Sequence, residues 1–224
     1  MKGIILSFIG IFFALSLSAQ LFNRIEAEFT LKESDRVGNK KLSVGKVYYD
    51  RNERVVVFDI SFPYREQVYI TDEAIFRVKD DTLFSKTIAL GLIDFNIFHL
   101  FLNGNLEYYG LSNSHWKLHD VVQDDGLVIS TWLPPKNYPN GGKMLLSQQN
   151  KNLSGLLSYN DKEELQTKYI FEEYVPVLGS SFPSQVIQYT YFQNEKEVRM
   201  SNYRNFKVNE YEADSLYRFP AWLD

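Results

Sequence analysis

Residues 83–102, LFSKTIALGLIDFNIFHLFL, decide how this chain is read. Leu83, Phe84, Ile88, Leu90, Leu92, Phe95, Phe98 and Leu102 leave the stretch little polar face. It is too interrupted to serve as a membrane span, which needs about 20 mainly apolar residues. It is also too apolar for an ordinary surface helix. The spacing predicts one or two short helices, broken near Gly91 and ended by Asn103-Gly104-Asn105. Periodicity alone is equally met by a buried core helix.

On either side the chain reads as short strands. Ile25, Ala27, Phe29 and Leu31 alternate with Glu26, Glu28 and Thr30, the period of a half-buried strand. Gly38-Asn39 marks a turn, and Leu42–Tyr49 is the next strand. In Arg54–Phe62, Val56, Phe58, Ile60 and Phe62 share one face, and Pro63 stops the run. Gln67–Thr71 and Ala74–Val78 pair across Asp72-Glu73. Beyond the apolar stretch the meander resumes at Trp116–Val122 and Leu127–Leu133, joined by Asp124-Asp125-Gly126. It continues through 143–148, 153–159, 165–174, 184–193 and 197–208. Connections of a few residues imply antiparallel neighbours. The aromatic end, residues 211–224, is expected to pack along the rim. The prediction is a mainly β (α+β) fold of about ten or eleven antiparallel strands, with the apolar stretch interrupting them.

The beginning of the chain reads as an export signal. Lys2 supplies a positive n-region, residues 3–17 an apolar core, and Ser16, Ser18 and Ala19 the small residues of a cleavage site. Residues 1–19 are therefore expected to be removed near Ala19, leaving 20–224 as a single domain in the periplasm. The chain has no cysteine, which excludes an acylated N-terminal cysteine, disulfides, thiolate metal sites and thiol nucleophiles. The 24 basic and 28 acidic residues give a net charge of −4. That balance argues against a nucleic-acid partner, which selects a basic face. Seventeen Phe and 15 Tyr suit strands and apolar pockets.

A search for catalytic chemistry is empty. His115 and His119 lie four apart, but in a strand that spacing separates them by about 13 Å, and the first is followed by no glutamate. His99 sits among Phe98, Leu100 and Phe101, as a core or lid histidine would. No nucleophile elbow, phosphate loop or dinucleotide fingerprint occurs. Asp80-Asp81, Asp124-Asp125, Glu163-Glu164 and Glu172-Glu173 read as solvated turn and strand-end carboxylates. No metal or cofactor is expected, and no enzymatic activity.

The order of motifs resembles the LolA/LolB-like lipoprotein carriers. Gly45-Lys46-Val47-Tyr48-Tyr49-Asp50-Arg51 resembles that family's strand and turn, and Phe58–Pro63 its next strand. Val68–Phe76 resembles its following hairpin. Phe182-Pro183 and Tyr203–Asn209 resemble its closing strands. The resemblance implies an open, unclosed half-barrel whose short helices form a lid over an apolar cavity. It implies a soluble, monomeric periplasmic carrier that binds the acyl chains of lipoproteins or other lipids. Its partners would be an inner-membrane ABC-type lipoprotein-releasing complex and an outer-membrane acceptor. A lipid- or lipoprotein-sensing module on the same scaffold is the alternative. Cavity and lid residues are then expected at Val56, Phe58, Ile60, Phe76, Ile88, Leu92, Phe95 and Phe98. Arg51 is the candidate lid latch, with Arg54 its neighbour and competitor. An inward-facing charge on the cavity face would count against this reading.

Overall fold

The computed structural model describes residues 23–223 apart from positions 137, 139, 140, 194, 211 and 213. The expected leader, 1–19, lies outside the described residues. The chain begins with six strands: β1 (Arg24–Ser34), β2 (Lys40–Asp50), β3 (Val55–Phe62), β4 (Glu66–Ile70), β5 (Ala74–Lys79) and β6 (Thr82–Ile88). A 3₁₀ turn (Ile93–Phe95), the helix α1 (Ile97–Leu102) and a second 3₁₀ turn (Leu111–Asn113) follow. Seven strands complete the sheet: β7 (Lys117–Asp124), β8 (Leu127–Leu133), β9 (Gly141–Gln149), β10 (Asn152–Asn160), β11 (Leu165–Val177), β12 (Ser180–Phe192) and β13 (Glu195–Val208). The described residues thus form thirteen strands rather than ten or eleven.

The strand order is β6-β5-β4-β3-β2-β1-β13-β12-β11-β10-β9-β8-β7, with every pairing antiparallel. Two meanders meet where β1 pairs with β13, and the sheet stays open as a curved half-barrel. This order explains the lid. The chain leaves β6 at one outer edge and must re-enter at β7, the opposite edge. Residues 89–116 make that crossing over one face of the sheet.

Part of the apolar stretch is strand, not helix. Thr82–Ile88 pairs with β5 through a tight turn at Asp80-Asp81, both of which have positive φ (48° and 56°), as a type I′ hairpin turn requires. Helix begins only at Asn96, whose side chain caps α1 by accepting a hydrogen bond from the Phe98 N–H at 3.0 Å. It ends at Asn103-Gly104, and Gly104 has φ +67°, the left-handed conformation that commonly closes a helix.

Both faces of β2–β5 are covered. Ile25, Ala27, Phe29, Val47, Tyr49 and Val56 pack toward the lid residues Ile93, Ile97, Phe98 and Leu100. On the other face Tyr48, Val55, Val57, Tyr69, Phe76 and Val78 pack with Tyr217 and Leu223. The aromatic C-terminal segment therefore lies on the outer face of the sheet and not along its rim. Burial on two faces is why Val55-Val56-Val57 forms an unbroken apolar run. Arg24, buried at the start of β1, ties this arrangement together through ion pairs with Asp50 of β2 and Asp214 of the C-terminal segment.

Candidate functional site

The lid covers only part of the inner face. Beyond it lies a pocket of about 420 Å³ open to solvent, within the range of roughly 300–1,000 Å³ typical of ligand sites. Its floor is built from strand positions two residues apart, because alternate side chains share a face. Phe29 and Leu31 come from β1, Phe58 and Ile60 from β3, Val68 and Ile70 from β4, Ile75 from β5, Val186 from β12 and Tyr203 from β13. The register makes this surface continuous, pairing Phe29 with Tyr203, Phe58 with Val68, and Ile70 with Ile75. Phe29 and Phe58 meet edge to face with centroids 5.1 Å apart. Gly45 of β2 pairs with two residues of the floor, Phe29 and Ile60. A Cβ there would lie 2.1 Å from the Asp59 carbonyl oxygen, so only glycine lets β2 approach β3 at the local irregularity between Val44 and Gly45.

The residues expected at the cavity separate into three groups. Phe58 and Ile60 line the pocket, and Val56 lies on the same face in the core beneath the lid. Phe95 and Phe98 belong to the lid. Phe95 is half-buried and stacks on Tyr109 with centroids 6.0 Å apart, whereas Phe98 is fully buried against Phe182 and Tyr203. Tyr203 thus joins the lid helix to the pocket wall.

Phe76, Ile88 and Leu92 lie elsewhere. Phe76 points to the outer face, 4.7 Å from Phe219 between ring centroids; its neighbours Ile75 and Arg77 face the pocket instead. Ile88 is 69% exposed and Leu92 40% exposed. They flank a loop held back against the β4–β5 turn by hydrogen bonds from Ala89 N to Glu73 O and from Gly91 N to Asp72 O, both 2.9 Å. Sequence reading missed Phe29, Leu31, Val68, Ile70, Ile75, Val186 and Tyr203. The alternation in β1 carried a signal for the first two.

Polar contacts hold the lid at one side. Arg54 donates to both oxygens of Asp72, at 2.7 and 2.6 Å, and reaches Asp94 in the first 3₁₀ turn at 2.9 Å. Arg51 donates to the Leu102 carbonyl at the end of α1, at 3.4 Å, and to Asn23 Oδ1 at 3.0 Å. Both arginines therefore touch the lid segment, and Arg54 makes the shorter contacts. Its hydrogen bonds hold the Asp72 carboxyl below the usual carboxylate range. Tyr49 and His99 add a 2.7 Å link from β2 to α1. Burial, then the nearby Arg54 charge, lower the His99 pKa, and burial raises that of Tyr49. A neutral imidazole accepting from a protonated phenol satisfies both shifts.

Charge does face the inner surface. Glu33, Lys41, Arg77 and Arg199 line the pocket together with Gln188 and the apolar floor. Arg77 stands on β5 beside Val68, whereas Glu33, Lys41, Arg199 and Gln188 stand at the end of the pocket away from the lid core. Register places Gln188 beside Arg199, Arg199 beside Glu33, and Glu33 beside Lys41, so they form one row across β12, β13, β1 and β2.

No family model and no curated protein matches the chain. Solved structures do. A LolA superfamily protein from Nitrosomonas europaea aligns over 88% of this chain and 90% of its own, with 15% identity and a TM-score of 0.60. A DUF1329 family protein from Desulfovibrio piger aligns over 89% and 91%, with 11% identity and a TM-score of 0.60. A domain described as an outer membrane lipoprotein-sorting protein, from Vibrio parahaemolyticus, aligns over 88% and 92%, with 9% identity and a TM-score of 0.58. The chain has the LolA-like fold.

Proposed function

We propose that the protein is an exported carrier that shields acyl chains of lipoproteins or other lipids in the pocket on the inner face of the sheet beside the lid. The observation that carries this reading is the continuous apolar floor from Phe29 to Val186, opening to solvent beside a short lid held by a few polar contacts. Each methylene taken from water is worth about 0.8 kcal/mol, so even part of an acyl chain on this floor gains several kcal/mol. A carrier must also release its cargo, which requires bound and open states of similar free energy. A lid latched through partly exposed ion pairs fits that requirement, since such pairs contribute only about 0.2–1 kcal/mol each.

On this reading residues 1–19 direct export and are removed, and the remaining chain works in the periplasm without a chemical step. Its likeness in fold to a lipoprotein-sorting domain supports passage of cargo from an inner-membrane ABC-type releasing complex to an outer-membrane acceptor. Native mass spectrometry with organic extraction, on protein purified from an exporting host, tests the proposal. Co-purifying acyl lipid or acylated protein is the expected result. A clean apo mass, with no uptake of added acyl lipid, overturns it.

A further inference from the structure

The pocket is amphipathic in a directed way, and the direction bears on the cargo. Its floor is aliphatic and aromatic, but its far end carries two cations, Lys41 and Arg199, and one carboxylate, Glu33, while a third cation, Arg77, lines the pocket from β5 beside Val68. Glu33 is shared between two of the cations: Arg199 Nε lies 3.1 Å from its Oε1 and Lys41 Nζ 4.0 Å from its Oε2. Arg77 is held by Glu66 of β4 at 2.5 Å. At the far end one carboxylate, Glu33, serves two cations, Lys41 and Arg199, so that end of the pocket keeps a positive excess. The Arg199 side chain is still 57% exposed, and a guanidinium offers five N–H donors in a planar fork suited to carboxylate or phosphate. A neutral acylglycerol has no use for such an end. Covering it with an uncharged ligand would also take its excess positive charge from water with no new partner in return.

We infer that the pocket selects an amphiphile with an anionic head group. Its acyl chain lies over Phe29, Phe58, Ile60 and Val68, and its carboxylate or phosphate sits at Arg199 and Lys41. The inference rests on the carrier reading above and narrows its cargo to an acidic class. The same arrangement explains why charge on the inner face is compatible with an apolar cavity. The charged row stands where the head group would meet water, and the floor behind it remains apolar.

The test compares ligands that share a palmitoyl chain and differ in the head. Palmitate, palmitoyl-lysophosphatidylglycerol and 1-monopalmitoylglycerol are titrated against the purified protein loaded with a fluorescent naphthylamine, with inorganic phosphate as a fourth ligand. The expected result is displacement by both anionic ligands at a concentration at least tenfold below that for monopalmitoylglycerol. The tighter of the two anions identifies the head as carboxylate or phosphate. In the Lys41→Gln/Arg199→Gln variant the preference should fall to within about twofold. Should that variant not fold, 0.5 M NaCl applied to the unaltered protein serves the same purpose, because exposed charges are screened strongly there. Equal displacement by charged and neutral ligands overturns the head-group inference and leaves the carrier reading standing. Displacement by none of the acyl ligands overturns the carrier reading itself. Displacement by phosphate alone overturns both, because it would mark a plain anion site.

Discussion

The Tyr49 hydroxyl lies 2.7 Å from Nδ1 of His99, joining β2 to the lid helix. Neutral His99 can accept this bond; on protonation Nδ1 becomes a donor and the phenol must turn to accept from it, and the buried charge is what disfavours the protonated form. The ordinary histidine value of 6.5 is lowered in the docked helix by burial first and by Arg54 second, while Asp94 and Asp72 pull weakly the other way. Because the docked state has the lower pKa, the undocked state takes the proton first. The contribution of His99 to docking is whole above about pH 6.5 and is lost as pH falls from there through the lowered value. Amide exchange across residues 93–111, corrected for intrinsic rates, should accelerate between pH 7.5 and 5. In His99→Phe that added acceleration should vanish. An unchanged pH profile in the variant would remove His99 from the latch.

Arg54, and not Arg51, should dominate lid closure. Arg54 bridges the β4–β5 turn and the first turn of the lid through Asp72 and Asp94, whereas Arg51 offers the lid one 3.4 Å bond. The partners are between a third and two-thirds exposed, which limits the loss to roughly 1 kcal/mol. Arg54→Ala should therefore speed lid exchange about fivefold, with a smaller effect from Arg51→Ala. A double-mutant cycle between Arg54 and Asp94 should show coupling, since the two act through one contact. Strictly additive effects would count against the bridge.

The inner face of β3 was legible from its second half, where Phe58 and Ile60 alternate with Asp59 and Ser61, although Val55-Val56-Val57 is apolar on both faces. The same reasoning failed one hairpin later. In β5 the side bearing Arg77 resembles a solvent face, which makes Phe76 look like the inward residue. Alternation separates two faces but does not say which one meets the lid, and here both are covered. What hides the answer is the C-terminal segment, whose Phe219 covers Phe76 from a distant part of the sequence. Residues 82–88 were hidden differently. Adjacent Leu83 and Phe84 blur the period-2 signal, and the strand runs straight into the lid, so a short apolar run fits strand or helix equally. Of the four residues expected in the lid, Phe95 and Phe98 fall within the segment that covers the sheet, where the apolar density has no use in an edge strand, and Ile88 and Leu92 do not.

Phe98 should be a structural keystone as well as a lid residue. It is fully buried, stacked 5.4 Å from Phe182 and edge-on 5.1 Å from Tyr203 between centroids. Phe98→Ala removes the ring from a packed site that spans helix and sheet, a change that costs about 3–5 kcal/mol. Urea unfolding should show a loss of unfolding free energy of that size, against less than about 1 kcal/mol for Leu90→Ala at the exposed loop, where Leu90 is 77% exposed. Comparable losses at the two positions would mean that the helix contributes little to the core.

Gly45→Ala should damage the pocket floor more than its single methyl suggests. The new Cβ would meet Asp59 O at 2.1 Å and Ile60 Cα at 2.9 Å, both backbone atoms that no rotamer change can move. β3 must then shift away from β2 at the very residue whose side chain lines the pocket. Overpacking of this kind costs about 1–3 kcal/mol where the structure can adjust. The expected outcome is a lower urea midpoint together with weaker displacement of the naphthylamine by palmitate. The exposed Gly126→Ala, where nothing lies within 4 Å of a Cβ but φ is +79°, should lower stability through backbone strain and leave palmitate binding unchanged. If Gly45→Ala lost stability but kept full ligand affinity, the floor between Phe58 and Ile60 would not be where the acyl chain lies.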